Sequence, residues 1–181
     1  MNTDTTNAPD LFNELDAALT ARGGWNAHGG PTTITNILSG GAGPTLATYT
    51  RLDGRLQVRT SRHQGIVTAE LGGGDWLADL TTGRTLAAAL AAIDAADTAA
   101  EATLPEQLEQ AGWRVEDTVR RGHLTARRWK SPNGTREMRL NLELAPRQLW
   151  YLSHAPDFDP AGATGSEETP ANVLAALALT D

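Results

Sequence analysis

A cluster of arginines around one tryptophan is the part of this chain whose residue types could do chemistry. Residues 118–141 contain seven basic side chains and one acidic one, Glu137, which gives this stretch a net charge of +6. Guanidinium groups hold carboxylates and phosphates through paired hydrogen bonds, and Trp and Arg are both enriched where proteins bind partners. The predicted partner-binding residues are Arg120, Arg121, Arg127, Arg128, Trp129, Lys130, Arg136 and Arg139.

Three interpretations of this cluster remain open from the sequence. The first is a non-catalytic interaction protein that binds a protein partner or a second copy of itself. The second is a single-stranded or duplex nucleic-acid binder, in which bases stack on Trp129 while arginines hold phosphates. In the third, Trp129 packs on its own strand pair and the arginines form a solvated face. The net charge of −7 for the whole chain favours a localised anionic partner over general affinity for nucleic acid.

The best candidate for a metal site is the short segment that begins at His154. His154, Asp157 and Asp159 lie within six residues and offer nitrogen and oxygen ligands to a divalent cation. The alternative is an acidic surface loop, since Asp next to proline is typical of turns. A small metal-dependent hydrolase is therefore a further possible function, and no cofactor is predicted.

The sequence contains no motif that indicates another kind of catalytic site. The chain has no cysteine, which removes thiolate nucleophiles, disulfides and cysteine-ligated zinc. The glycine-rich runs at 40–43 and 72–74 lead into strands, whereas a phosphate loop leads into a helix. We therefore expect a protein without enzymatic activity.

Composition gives expectations about location and origin. The polar start at residues 1–9 lacks the basic and apolar regions of a signal peptide, and no apolar run is long enough to span a bilayer. We expect a cytoplasmic protein with no membrane contact and a disordered tail over 1–9. Fourteen of the 15 basic residues are Arg, which indicates a GC-rich genome.

The elements that must position these residues occur twice along the chain. Each half contains a helix that ends in Gly-Trp, at Trp25 and Trp113, then four strand-like runs and an Ala/Leu-rich helix. The last predicted strand of each half carries a tryptophan, Trp76 or Trp150. The pattern predicts an α+β fold of two tandem repeats, each a helix, a four-stranded antiparallel meander and a helix, related by a pseudo-twofold.

The predicted repeats cover residues 10–98 and 104–181, with a linker at 99–103. The first repeat has an insertion at 26–44 that could add an edge strand over 32–38. Asp53-Gly54 predicts a hairpin with a type I′ turn. Thr85, Thr103 and Thr169 are predicted N-caps of the helices that follow them.

The second half resembles a known family in its turns and aromatic residues. The stretch from Trp129 to Arg136 reads W-x-S-P-x-G-x-R, Leu149-Trp150-Tyr151 follows, and the end reads T-P-x-x-V-x-A-A-L from Thr169. These motifs are similar to those of the streptomycete tandem-repeat family known as domain of unknown function 317, over residues 104–179. The resemblance implies an actinobacterial protein, often encoded on mobile elements, and it supplies no catalytic residue.

Overall fold

The chain folds into an α+β structure, as predicted. The computed structural model describes residues 11–28, 32–36, 41–120, 123–142, 148–155 and 162–180. Contacts divide the chain into two compact units, Met1–Glu70 and Leu71–Asp181. The predicted boundaries at 10–98, 99–103 and 104–181 come from internal similarity rather than from contacts, so they stay a prediction, as does the pseudo-twofold repeat. The tail at 1–9 lies outside the described residues.

In the first unit the described residues form one helix and antiparallel strands. The elements are α1 (Leu11–Arg22), β1 (Trp25–Ala27), β2 (Thr32–Asn36), β3 (Gly41–Arg51), β4 (Gln57–His63) and β5 (Ile66–Gly73), in which the division between the units falls. Neighbouring strands follow the order β1-β3-β4-β5, and β2 also pairs with β3. Strand β2 confirms the extra strand expected over 32–38 as far as Asn36, and residues 37 and 38 lie outside the described residues.

Helix α1 contributes three side chains to the core of the first unit. Phe12, Leu15 and Leu19 are buried, and their spacing of three and four residues places them on one side of the helix. Strand β3 is tied to this helix by Tyr49, whose hydroxyl donates a hydrogen bond to the Asp16 carboxylate. Burial, together with this carboxylate, raises the pKa of Tyr49, so the phenol stays protonated and keeps donating.

The hairpin at Asp53-Gly54 forms, but its predicted type I′ turn is wrong. Arg51 N–H donates to Leu56 O at 3.0 Å, which encloses four residues rather than two. Gly54 has a φ of 72°, whereas Asp53 is not among the residues with positive φ. The Asp53 carboxylate accepts hydrogen bonds from the Arg51 side chain and the Arg55 N–H, which lower the pKa of Asp53 to about 2. These bonds favour the wider loop.

In the second unit the described residues form three α-helices and the remaining strands. The elements are β6 (Trp76–Asp79), a 3-10 helix (Leu80–Gly83), α2 (Leu86–Ala95), α3 (Leu104–Gln110), β7 (Arg114–Arg120), β8 (His123–Lys130), β9 (Arg136–Asn141), β10 (Leu149–His154), β11 (Gly165–Ser166) and α4 (Ala171–Leu179). Neighbouring strands follow the order β6-β11-β10-β9-β8-β7. Strands β7 to β10 correspond to the four strand-like runs of the second half, while the two-residue strand β11 was not predicted.

Two of the three predicted helix caps are confirmed. Thr85 accepts a hydrogen bond from Ala88 N–H, and Thr103 forms a capping box with Glu106. The predicted cap at Thr169 is wrong, because α4 begins after Pro170 with no side-chain cap. The Thr169 hydroxyl instead donates to Leu77 O at 2.9 Å and accepts from Ser166 N–H at 3.0 Å.

Close packing of α4 on its neighbours depends on two glycines. Helix α4 contacts α2 and the 3-10 helix, and its small alanines permit this approach. A Cβ at Gly83 would lie 2.8 Å from the Ala88 Cβ of α2 and 3.2 Å from the Leu177 Cδ2 of α4, and one at Gly165 would lie 2.9 Å from the Leu174 Cδ2 of α4. Neither position leaves room for a methyl group.

We therefore expect Gly165→Ala to lower the free energy of unfolding by about 1–3 kcal/mol, because the added methyl overpacks the contact with α4. Gly162→Ala is the matched control, since a Cβ there has no neighbour within 4 Å. Urea denaturation of both variants measures the difference. Equal stability of the two would contradict the close packing.

Candidate partner-binding face

Trp129 lies in the interior of the second unit. Its side chain is 1 % exposed and is the largest fully buried side chain of the described residues. Its ring centroid lies 5.6 Å from that of Trp150, and its Nε1 donates to Glu109 Oε1 in α3 at 3.2 Å. The expectation of an exposed Trp129 that anchors a partner is therefore wrong. Trp129 shares this side of the sheet with its cross-strand partner on β9, the buried Met138.

The position of Trp129 determines which charged residues share the other face of the sheet. Successive strand residues point to opposite faces, so Arg128 and Lys130 lie on the face away from Trp129. Arg128 pairs with Glu116 of β7 and with Arg139 of β9, and Lys130 pairs with Arg114 and Glu137 in the same way. We call this set the basic face: Arg114, Glu116, Arg128, Lys130, Glu137 and Arg139.

The basic face combines four cations with two acids, and both acids are paired. Lys130 Nζ lies 3.2 Å from Glu116 Oε2, and Arg128 Nη1 lies 3.9 Å from Glu137 Oε2. The side chains of Arg128 and Lys130 are 36 % and 39 % exposed. An exposed ion pair contributes only about 0–1 kcal/mol, so a partner's charge could replace the Lys130 pair with little loss of stability.

Arg128 and Arg139 form a like-charged pair directly opposite each other on β8 and β9. Such pairs are destabilising in a sheet. The Nε atoms of both side chains are buried and make no hydrogen bond to any described residue. A buried donor left unpaired costs about 1–3 kcal/mol. An anion bound between the two guanidinium groups would therefore relieve both the repulsion and the missing hydrogen bonds.

Arg136 is buried and forms hydrogen bonds at the C-terminal end of α4. It is 9 % exposed, and its Nη1 donates to Ala178 O at 2.6 Å and to Thr180 O at 2.9 Å. The guanidinium donates hydrogen bonds to carbonyl groups at the C-terminal end of α4, where a helix leaves its last carbonyls without donors. Burial lowers the pKa of Arg136. Its geometry therefore explains a contribution to folding, while its predicted role in partner binding stays a prediction.

Arg127 does not belong to the basic face. Arg127 lies one residue from Arg128 and so on the same side of β8 as Trp129. The side chain of Arg120 and the whole of Arg121 lie outside the described residues. Of the eight predicted residues, the structure thus brings together Arg128, Lys130 and Arg139.

Three members of the basic face, Arg114, Glu116 and Glu137, are not among the predicted partner-binding residues. Arg114 and Glu116 lie on β7, before the basic stretch, and only the antiparallel pairing with β8 brings them beside Lys130 and Arg128. Counting the cross-strand pairs of the β7–β8 hairpin would have found both residues, because the bounds of these strands follow from the sequence.

The His154 side chain forms a hydrogen bond with the backbone. Its Nε2–H donates to Thr82 O at 2.7 Å. Burial and the nearby charges of Arg84 and Arg136 lower the pKa of His154. The other two predicted ligands, Asp157 and Asp159, lie outside the described residues. Among the residues that are described, no group of three possible ligands comes together, and the metal site stays a prediction.

A small cleft lies beside the C-terminal ends of α3 and α4. Its volume is about 260 Å³, and its lining includes Trp113, Pro132, Asn133 and Arg136. Sites for drug-sized ligands have volumes of about 300–1,000 Å³. The cleft is smaller than a typical site of this kind. The basic face is therefore the stronger candidate for a binding site.

Comparisons with known proteins give no match from which a function could be inferred. No family model, curated protein or solved structure matches the chain. The resemblance to domain of unknown function 317 therefore stays a prediction. None of the described helices is both long and apolar enough to cross a membrane.

We expect Trp129→Ala to lower the free energy of unfolding by about 3–5 kcal/mol, because it empties a large space in the core and removes the hydrogen bond to Glu109. Val115→Ala is the control, since Val115 is paired with Trp129 on β7 but is 50 % exposed. Guanidinium denaturation compares the two. A loss at Trp129 no larger than that at Val115 would contradict the buried position.

We also expect stability to fall as the pH drops below the ordinary histidine pKa of about 6.5. The folded state lowers the pKa of His154, so between the two pKa values the unfolded chain binds more protons. Acid then favours unfolding until the pH passes the lowered pKa. Denaturation of wild type and His154→Gln from pH 5 to 8 measures this effect. An unchanged slope in the variant would contradict it.

Proposed function

We propose that this is a non-catalytic interaction protein that binds an acidic macromolecular partner through its basic face. The observation that carries the proposal is the opposed pair of Arg128 and Arg139, whose buried Nε–H groups lack acceptors among the described residues. The partner is a protein surface with exposed Asp and Glu side chains. A second copy of this chain is a partner of the same chemistry, because its net charge is −7.

Acids within the face favour a protein partner over a nucleic acid. Glu116 and Glu137 alternate with the cations, which leaves a net charge of +2 over six residues. A nucleic-acid site needs a continuous positive groove that follows the phosphates and exposed rings for the bases. Trp129, the ring on which the nucleic-acid alternative depended, is buried. Alternating charges are better suited to the mixed surface of a protein.

Origin and location belong to the same proposal. The likeness of residues 104–179 to the streptomycete repeat family and the preference for Arg over Lys support an actinobacterial protein. The absence of cysteine fits the reducing cytoplasm. Within this proposal the second predicted repeat, which contains the basic face, binds the partner.

The proposal is tested with a fluorescent poly-glutamate peptide, whose binding is followed by anisotropy. We expect the double variant Arg128→Gln/Arg139→Gln to weaken binding at least about tenfold, because one ordinary charged hydrogen bond contributes that much. Arg59→Gln is the control. Arg59 is an exposed arginine of the first unit, and its Nε already donates to Gln57 Oε1 at 2.7 Å.

A single-stranded oligonucleotide of equal charge is measured alongside the peptide. We expect it to bind more weakly at the same salt concentration. Tighter binding of the oligonucleotide would favour the nucleic-acid alternative. An equal loss of peptide binding in the Arg59 variant would contradict the assignment to the basic face.

A further inference from the structure

We propose that Arg128 and Arg139 together form a binding site for a single carboxylate group, such as the side chain of an Asp or Glu on the partner. This inference rests on the proposed function and names the group that the basic face recognises. The two residues lie directly opposite each other on β8 and β9, so their side chains leave the sheet from neighbouring positions on one face. One small anion between them can contact both.

The site has unused hydrogen-bond donors. Arg128 Nε and Arg139 Nε are buried without an acceptor among the described residues. Other arginines show the usual arrangement, since Arg51 Nε donates to Asp53 at 2.9 Å and Arg59 Nε donates to Gln57 at 2.7 Å. A guanidinium group binds a carboxylate through two parallel N–H donors. The pair at Arg128 and Arg139 therefore lacks the kind of acceptor that a carboxylate provides.

The local charge selects a monoanion. Arg128 and Arg139 contribute +2, and Glu137, whose Oε2 lies 3.9 Å from Arg128 Nη1, contributes −1. A carboxylate balances the remaining +1. A phosphate dianion would leave excess negative charge beside Glu137, which is only 4 % exposed and therefore poorly screened. Lys130 and Glu116 neutralise each other at 3.2 Å, and the remaining cation of the basic face, Arg114, lies opposite Lys130 rather than opposite Arg128 or Arg139.

The test observes the donors themselves in the full-length, ¹⁵N-labelled protein. Sodium acetate is titrated at constant ionic strength, with chloride as the balancing ion, while the Nε–H signals of arginine are recorded. We expect the Arg128 and Arg139 signals to move downfield along one saturable curve with a common Kd. The Arg51 and Arg59 signals are internal controls and should not follow that curve, because their Nε–H groups already have acceptors.

Lysine variants test whether both guanidinium groups are needed. We expect Arg128→Lys and Arg139→Lys each to weaken acetate binding at least about fivefold, because lysine keeps the charge but loses the planar fork. The amide spectrum of each variant reports whether it remains folded. Acetate binding that survives both substitutions unchanged would overturn the proposal.

Two further outcomes would also overturn it. One is a linear shift of all four arginine signals, which would mean that acetate acts only through general ionic effects. The other is tighter binding of inorganic phosphate than of acetate at the same two signals, which would assign the site to phosphate groups.

Acetate binding without poly-glutamate binding would support the carboxylate site and contradict the proposed function. Peptide binding without acetate binding would support the proposed function and contradict the carboxylate site.

Discussion

The burial of Trp129 is the constraint on which the arrangement of the second unit depends. The indole packs against Trp150 and donates to Glu109 of α3. A slip of β8 by one residue would turn the indole out of the core and a charged neighbour into it. The same contact that stabilises the unit therefore holds Arg128 and Lys130 on the opposite face, in register with β7 and β9.

The two faces of this sheet consequently carry different chemistry. On the face that contacts α3, the apolar side chains of Trp129 and Met138 are buried. The basic face orders charges by cross-strand pairing, and its two acids offset part of the repulsion between the cations. Glu137 is central to this balance, because it is buried and lies 3.9 Å from Arg128. The buried Nε–H groups of Arg128 and Arg139 remain without acceptors among the described residues, which is why binding is proposed there rather than along the whole basic stretch.

Local signals made most of the fold predictable, while the site depended on pairing between strands. The bounds of β7, β8 and β10 and the capping box at Thr103 follow from residues close in sequence. The inward direction of Trp129 does not, because Arg127, Arg128 and Lys130 surround it and leave no apolar alternation to mark the buried side. Only pairing with Met138 of β9 reveals that side. Strand β11 was missed because two residues are too short to show a period.

The direction of the β8 and β9 side chains is tested most directly by cysteine labelling, since the chain contains no native cysteine. Single cysteines at Arg128, Lys130 and Arg139 sample the basic face, and one at Met138 samples the core. We expect the first three thiols to react with an alkylating reagent in the folded protein and the thiol at 138 to react only on unfolding. Equal rates at all four positions, or fast labelling at 138 with protection at 128, would contradict this arrangement.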